Sequence, residues 1–166
     1  MVDENRKVWG WMVRGESAVK SNFLMSGMSE SVELGKLFCG GALEKENIKQ
    51  KVLADKSGVY LLSTGRKNDQ DQMVVEYVGR GVVGEVEDLC NRLIAHVGDP
   101  APDEQDPSTG TCIYKYFWFQ YENTPLESYY SECRYYHHYG ANKYLRNKIH
   151  PAKNKGSNRL CPVCKQ

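Results

Sequence analysis

The chain has 166 residues, which is enough for one domain with a modest hydrophobic core. Hydrophobic residues make up 40% and charged residues 26%, which excludes a disordered polymer, and no apolar stretch approaches the roughly 20 residues of a membrane-spanning helix. The segment Met1–Lys7 mixes charges of both signs and precedes no long apolar run. We therefore expect a non-secreted, cytoplasmic protein without a membrane segment.

The basic residues are concentrated at one end, although the net charge is only +1. From Cys133 to Gln166 there are eight Lys or Arg residues and no Asp or Glu, which leaves −7 for the preceding residues when subtracted from that total. A basic terminal segment favours a polyanionic partner such as a nucleic acid. A solvated lysine-rich tail is the alternative, and charge alone does not decide between them.

In the first half of the chain, short elements alternate with glycine-rich breaks. Val8–Val13 is predicted as a strand, and Ser29–Phe38 and Leu43–Ala54 as two helices separated by Gly40-Gly41. Two short apolar strands follow, Val59–Leu62 and Met73–Val78, joined by the polar loop 63–72. Antiparallel pairing through this hairpin is the simplest arrangement.

The second half of the chain is more strongly patterned. Glu85–Val97 has the helical spacing of a one-sided core face, and the aromatic run Cys112–Tyr121 predicts a third strand. Thr124, Pro125 and Glu127 form the start signal of a helix that runs to about Tyr139, before Gly140. We therefore expect an α/β domain with a small antiparallel three-stranded central sheet flanked by helices.

Two short motifs lie on neighbouring predicted strands: Gly58-Val59-Tyr60 and Tyr77-Val78-Gly79. Other polar and charged residues follow these motifs along the chain, in the order Asn91-Arg92-Leu93, His96, Glu132 and Asn147. Together these residues resemble the GIY-YIG nuclease family over roughly residues 58–147, more than half of the chain. The intervals from Tyr60 to Tyr77 and from Tyr77 to Arg92 are longer than usual in the family, so we interpret 63–72 as an insertion and 79–84 as an added turn.

The resemblance implies hydrolysis of DNA phosphodiester bonds with Mg²⁺ or Mn²⁺. Tyr60 resembles the family's candidate general base, which at an ordinary phenol pKa of about 10 needs help to act at neutral pH. Tyr77 would orient that group or the attacking water. His96 could share the handling of the proton.

The same resemblance assigns the charged positions. Arg92 would hold phosphate oxygens with its fork of donors, and Arg80 is a further candidate phosphate contact. Glu132 would supply the single carboxylate for the divalent cation, whose other ligands are water and phosphate. Asn147 would hold the last loop of the core in place.

Each assignment has a structural alternative. Tyr60 and Tyr77 could be ordinary half-buried strand aromatics, and Arg92 could pair with Asp88 at i, i+4. His96 could be a surface residue favoured by the helix dipole, and Glu132 a solvated helix carboxylate. The ordered occurrence of the family positions favours the nuclease interpretation over these alternatives.

Cys161-x-x-Cys164 has the spacing of half a zinc site. Cys133 and His137 lie four residues apart and share one helix face. A structural Zn²⁺ site is therefore predicted from Cys133, His137, Cys161 and Cys164, with His138 and His150 as competing nitrogen ligands. Unligated thiols are the alternative; a thioredoxin-like redox pair fits less well because that motif normally opens a helix.

The chain is thus predicted to comprise an N-terminal extension packing on the core (1–56), a GIY-YIG-like nuclease core (57–150) and a basic tail of the same domain (151–166). The predicted function is a divalent-metal-dependent DNA endonuclease. A non-catalytic, zinc-containing nucleic-acid-binding or interaction module that retains the fold is the alternative. Residues 1–56 could supply target specificity or a homodimer contact.

Overall fold

A computed structural model describes residues 34–85, 87–153 and 157–166. Seven regular elements occur in these ranges: β1 (Phe38–Ala42), α1 (Lys45–Lys51), β2 (Ser57–Ser63), β3 (Tyr77–Gly81), α2 (Leu89–Gly98), β4 (Tyr116–Glu122) and α3 (Pro125–His138). The predicted strand Val8–Val13 lies outside the described residues. No helix within the described ranges is both long and apolar enough to cross a membrane.

The sheet has four antiparallel strands in the order β1-β4-β2-β3, so the α/β class is confirmed and the prediction of three strands is wrong. The additional strand is β1, where Phe38 pairs with Phe119 and Ala42 with Tyr116. The described part of the predicted helix Ser29–Phe38 is not helical. Gly40 is unpaired, at a register shift between Cys39 and Gly41. A Cβ at position 40 would lie 2.2 Å from the Phe117 ring, so the chain can bend there only with glycine.

Both faces of the sheet are covered by helices. On one face, α1 and α2 pack over a core that includes Tyr60, Leu62 and Leu93. On the other face, α3 packs over Val59, Leu61 and other residues. Burial on both faces explains why β2 is a continuous apolar run rather than an alternating one.

The predicted helix after β4 is confirmed. Thr124 is its N-cap, and the Thr124 hydroxyl accepts a hydrogen bond from the Glu127 amide at 3.1 Å. Glu127 in turn accepts from the Asn123 amide at 3.1 Å. Gly140, with φ of 85°, follows the helix in the left-handed conformation that ends it.

Candidate active site and metal centre

Tyr60 lies directly across the sheet from Gly79, its register partner on β3. A Cβ at position 79 would lie 2.4 Å from the Tyr60 ring and hydroxyl. Only glycine therefore lets the ring extend across the edge strand towards α2 without displacement. The last glycine of the Tyr-Val-Gly motif thus has a steric cause, and it places the Tyr60 hydroxyl beyond the backbone of β3.

The Tyr60 hydroxyl is joined to a chain of two hydrogen bonds. Tyr60 Oη lies 2.7 Å from His96 Nε2, and His96 Nδ1 lies 2.7 Å from Glu104 Oε2. All three residues are buried. Burial raises the pKa of Tyr60 well above its ordinary value, and the neighbouring Tyr77 raises it further while Arg92 opposes the shift. At neutral pH the phenol is therefore protonated.

Tyr77 and Arg92 are two further residues close to Tyr60. The Tyr77 ring centroid lies 5.4 Å from that of His96 and 6.3 Å from that of Tyr60. Burial and Glu104 raise the pKa of Tyr77 to about 12, and the Arg92 cation acts in the opposite direction. The Arg92 guanidinium is thus close to both phenols, and its Nη1 also lies 3.5 Å from Glu87.

Among the described ion pairs, the partner of Arg92 is Glu87 and not Asp88. The Asp88 carboxylate accepts from the backbone amides of Asn91 at 2.7 Å and Asp55 at 2.9 Å, so Asp88 caps α2 and joins it to the segment before β2. The Arg92 side chain is 43% exposed, which leaves it accessible to a substrate.

These side chains open onto a cleft of about 470 Å³. The walls relevant to chemistry are formed by Tyr77, Arg92, His96, Glu104, Arg146 and Asn147. Tyr60 itself is fully buried behind them. The cleft is thus lined by charged groups of both signs and by one imidazole, with the Tyr60 hydroxyl bonded to the rear of that imidazole. The cations are Arg92, Arg146 and Lys148, and the carboxylates are Asp99, Asp103 and Glu104.

Glu132 lies on the other side of β3. Its Oε2 accepts from Arg80 Nη1 at 2.6 Å, and both side chains are nearly buried. Burial raises the pKa of Glu132 to about 7, and Arg80 and Arg92 lower it from what burial alone would produce. The charge of Glu132 also acts on Tyr60 and Tyr77. The predicted carboxylate therefore influences the cleft tyrosines through its charge, but it does not line the cleft, and Arg80 is its direct partner.

Asn147 binds the backbone of β3. Its Oδ1 accepts from the Val78 amide at 3.0 Å, and its Nδ2 donates to the Val78 carbonyl at 2.7 Å. These bonds satisfy both backbone groups of one residue on the sheet's edge strand. Asn147 thereby ties the C-terminal segment to the strand that carries Tyr77 and Arg80.

Four residues near the C-terminus form a compact group of metal-ligand atoms: His137, His150, Cys161 and Cys164, all within 4.8 Å of one another. His150 Nε2 lies 3.2 Å from His137 Nε2 and 3.4 Å from Cys164 Sγ. A tetrahedral Zn²⁺ site with ordinary bond lengths has N–N edges of about 3.3 Å and N–S edges of about 3.6 Å. The two observed distances fit such a site.

The surroundings of the group also suit a metal. His150 Nδ1 lies 2.9 Å from the carbonyl of Pro151, which leaves Nε2 unprotonated when Nδ1 donates. Burial lowers the pKa of His137, which favours the neutral imidazole that a metal requires. Cys161 Sγ accepts from the amides of Val163 and Cys164 at 3.4 and 3.5 Å, and both bonds stabilise a thiolate. This His₂Cys₂ group is therefore compatible with structural zinc.

Cys133 is not a member of this group, so its prediction as a ligand is replaced by His150. Cys133 does share a helix face with His137, but it is fully buried and packs with Tyr129 and Cys161 beneath the site. Burial raises the pKa of its thiol above the ordinary value. Helical spacing placed Cys133 beside the cluster but could not show that the chain returns with His150 on the open side. His138 is exposed and lies outside the group.

Glu104 is the site residue that the sequence did not indicate. It belongs to the polar segment between α2 and β4, where several acidic residues occur together: Asp99, Asp103, Glu104 and Asp106. Nothing in the sequence distinguishes one of these carboxylates from the others. Only the fold shows that Glu104 turns inward to His96 while Asp103 pairs with Lys148 at the surface.

Comparison with known proteins gives no relative. No protein-family model matches the chain, and no curated protein or solved structure matches it.

Proposed function

We propose that the protein is a divalent-metal-dependent endonuclease of the GIY-YIG type that hydrolyses phosphodiester bonds in DNA. One observation carries the proposal: Tyr77, Arg92 and His96 line one cleft, Tyr60 is hydrogen-bonded to His96, and the Glu132 carboxylate lies within electrostatic range. These groups supply what the reaction needs, namely a proton acceptor, a cation for the phosphate and a carboxylate.

Tyr60 and His96 act together as the proton acceptor. Because Tyr60 is fully buried, the attacking water reaches its hydroxyl only when the side chains in front of it move aside. The water then passes a proton to Tyr60 Oη while the Tyr60 proton moves to His96 Nε2, 2.7 Å away. The water oxygen forms the new P–O bond, and the bond from phosphorus to the leaving oxygen breaks with its electron pair on that oxygen. The leaving oxygen takes a proton from solvent water, and His96 returns its proton to the resulting hydroxide, so the net reaction consumes one water.

The cations of the site stabilise the charge of the phosphate. Arg92 is half-exposed in the cleft and can donate two parallel hydrogen bonds to non-bridging oxygens. Arg146 is a second cation of the cleft, and its Nε also lies 3.8 Å from Glu76. Arg80, predicted as a phosphate contact, donates to Glu132 through Nη1 and is nearly buried. We therefore assign Arg92 the main phosphate contact and Arg80 the positioning of Glu132.

Glu132 would hold Mg²⁺ or Mn²⁺ through Oε1, because the described hydrogen bond of this carboxylate occupies Oε2. Such an ion, when bound, supplies charge neutralisation for the phosphate and the leaving oxygen. The carboxylate must be ionised to bind it, and burial works against ionisation below about pH 7.

His137, His150, Cys161 and Cys164 would hold a structural Zn²⁺. The ligands join the end of α3 to the C-terminal basic segment, so the metal would keep that segment against the helix that bears Glu132. Their number and type, two imidazoles and two thiols, fit a closed structural site rather than a catalytic one.

A second candidate function is a non-catalytic, zinc-containing module that binds nucleic acid. The Arg80–Glu132 ion pair favours it, because a carboxylate already neutralised at 2.6 Å is a weaker metal ligand. Binding without hydrolysis would use the same cations of the cleft, Arg92 and Arg146.

Two variants separate these functions, with the DNA dissociation constant and the rate of plasmid cleavage measured for each. If the protein is a nuclease, Glu132→Ala abolishes magnesium-dependent cleavage and Arg92→Ala lowers turnover more than DNA binding. A zinc-loaded wild type that binds DNA equally well with and without magnesium, and never cuts it, would instead support the binding module. Glu127→Gln, an exposed carboxylate on the same helix, is the matched control.

A further inference from the structure

Glu104 is a buried carboxylate that makes a short hydrogen bond to the imidazole facing the cleft. It is held in place by its own loop. The Glu104 amide donates to the Ala101 carbonyl and the Glu104 carbonyl accepts from the Ile113 amide, each at 2.8 Å. The neighbouring Gln105 pairs with Cys112 as an isolated bridge, and its side chain donates to the Pro100 carbonyl at 2.8 Å. The carboxylate is thus presented to His96 by a fixed backbone.

The chemistry of the two contacts fixes which nitrogen of His96 carries the proton. An ionised carboxylate can only accept hydrogen bonds, so His96 Nδ1 must be the donor to Glu104. In the neutral imidazole Nε2 is then unprotonated and can accept the Tyr60 hydroxyl at 2.7 Å. The opposite tautomer would place a lone pair against the carboxylate and an N–H against the phenol.

We propose that Glu104 is a positioning residue that holds His96 in the Nδ1–H tautomer, so that Nε2 is available to take the proton of Tyr60. The inference rests on the proposed function for its catalytic consequence, whereas the tautomer is a property of the protein alone. The ionisable groups that face His96 from the other packed elements are Tyr60 on β2, Tyr77 on β3, Arg92 on α2, and Tyr114 and Arg146. Unlike these tyrosines and arginines, the Glu104 carboxylate accepts hydrogen bonds without donating any.

The test compares wild type with Glu104→Gln, Glu104→Asp and Asp106→Asn. Glutamine keeps the size of the side chain but can donate as well as accept, so the tautomer is no longer dictated. Aspartate keeps the acceptor-only chemistry on a shorter side chain. Asp106 lies in the same loop, but its carboxylate accepts from Ser108 instead of His96, so its variant controls for changes in the loop.

The first readout is the protonation of each His96 nitrogen, measured by long-range ¹H–¹⁵N NMR on histidine-labelled protein. The His96 signals are assigned by their loss in His96→Asn. We expect wild type, Glu104→Asp and Asp106→Asn to carry the proton on Nδ1, and Glu104→Gln to populate both tautomers. A wild-type His96 protonated on Nε2 would overturn the inference whether or not the protein cuts DNA.

The second readout is single-turnover cleavage of DNA across a range of pH. We expect Glu104→Gln to lose about 10²- to 10⁴-fold in rate with unchanged DNA affinity, and Glu104→Asp to recover part of that loss. Cleavage by Glu104→Gln within threefold of wild type would overturn the inference. A wild type with the expected tautomer and no cleavage would instead overturn the proposed function.

Discussion

Arg80 and Glu132 are joined by a 2.6 Å ion pair that connects the edge strand β3 to α3. The guanidinium of Arg80 also lies 5.3 Å from the centre of the Tyr129 ring, so the cation is held between a carboxylate and an aromatic face. This arrangement determines the protonation of Glu132. Burial disfavours the anion that a metal would require, and Arg80 offsets only part of the cost of burying that charge.

Glu132 should therefore make stability depend on pH in a predictable direction. Its pKa in the folded protein, about 7, is higher than the ordinary value of 4.5. The stabilising contribution of the neutral group is fully present below pH 4.5 and is lost as the pH rises through 7. Between pH 4.5 and pH 8, we expect wild type to lose up to about 3 kcal/mol of unfolding free energy relative to Glu132→Gln, as measured by urea denaturation.

The quantity compared is the change in unfolding free energy between pH 4.5 and pH 8, not the absolute stability of each protein. Glu132→Gln leaves Arg80 without its carboxylate, but Arg80 stays charged throughout this range, so that cost is constant. Glu127→Gln removes an exposed carboxylate from the same helix and should follow wild type. Parallel curves for wild type and Glu132→Gln would show that the carboxylate is not held neutral by burial.

Gly79→Ala should displace the Tyr60 ring. The new Cβ would lie 2.4 Å from the ring, so either the ring or β3 must move, at a cost of about 1–3 kcal/mol in unfolding free energy. The rate of DNA cleavage should also fall, because the hydrogen bond between Tyr60 and His96 is lost. The control is Gly98→Ala, whose Cβ meets nothing within 4 Å at the end of α2. Equal stability of the two variants would contradict the steric account.

Replacing single residues should distinguish the observed metal-ligand group, which contains His150, from the predicted group, which contained Cys133 instead. We expect His150→Ala to weaken Zn²⁺ binding by more than about 100-fold and Cys133→Ser to retain one Zn²⁺ per chain, measured by metal analysis and competition with a chelating dye. The exposed His138→Ala is the control for histidine loss. Retained zinc in His150→Ala and lost zinc in Cys133→Ser would restore the original assignment.

Zinc removal should also lower stability. A ligand that binds only the folded state adds about 3 kcal/mol when its free concentration is 100 times the dissociation constant. The unfolding transition of the zinc-loaded protein should thus move to lower urea after chelation and return when zinc is added back. An unchanged transition would mean that the group holds no metal or that its metal does not stabilise the fold.

Asn147→Ala should free the backbone of Val78. Both hydrogen bonds to the Asn147 side chain are lost, which we expect to cost about 1–3 kcal/mol and to accelerate exchange of the Val78 amide hydrogen. Asn142, an exposed asparagine in the same segment, is the matched control when changed to alanine. Unchanged exchange at Val78 would show that another group holds the edge strand.

The parts of the fold that depend on local sequence were predictable. The helix after β4 starts where Thr124 and Pro125 indicate, because a cap is formed by residues three positions apart. The helix that bears His96 was also predicted, although it begins only at Leu89, after the Asp88 cap. The strand Phe38–Ala42 was missed because its pairing with β4 joins residues nearly eighty positions apart, a contact that no local pattern contains.

In the candidate site, too, some residues could be predicted from local sequence and others could not. Tyr60, Tyr77, Arg92 and His96 come together because the motifs fix their positions on neighbouring elements. Glu104 and His150 enter from irregular segments, where the partner of a side chain is set by the path of the chain rather than by periodicity.

The central claim is that this site hydrolyses DNA, and the most direct measurement is nicking of supercoiled plasmid by zinc-loaded protein with and without Mg²⁺ or Mn²⁺. We predict nicking or linearisation that requires the added ion, disappears in Glu132→Gln and persists in Glu127→Gln. Cleavage that is equal in wild type and Glu132→Gln would contradict the assignment of the carboxylate. The absence of any cleavage by folded wild type that binds the plasmid would contradict the claim of hydrolysis itself.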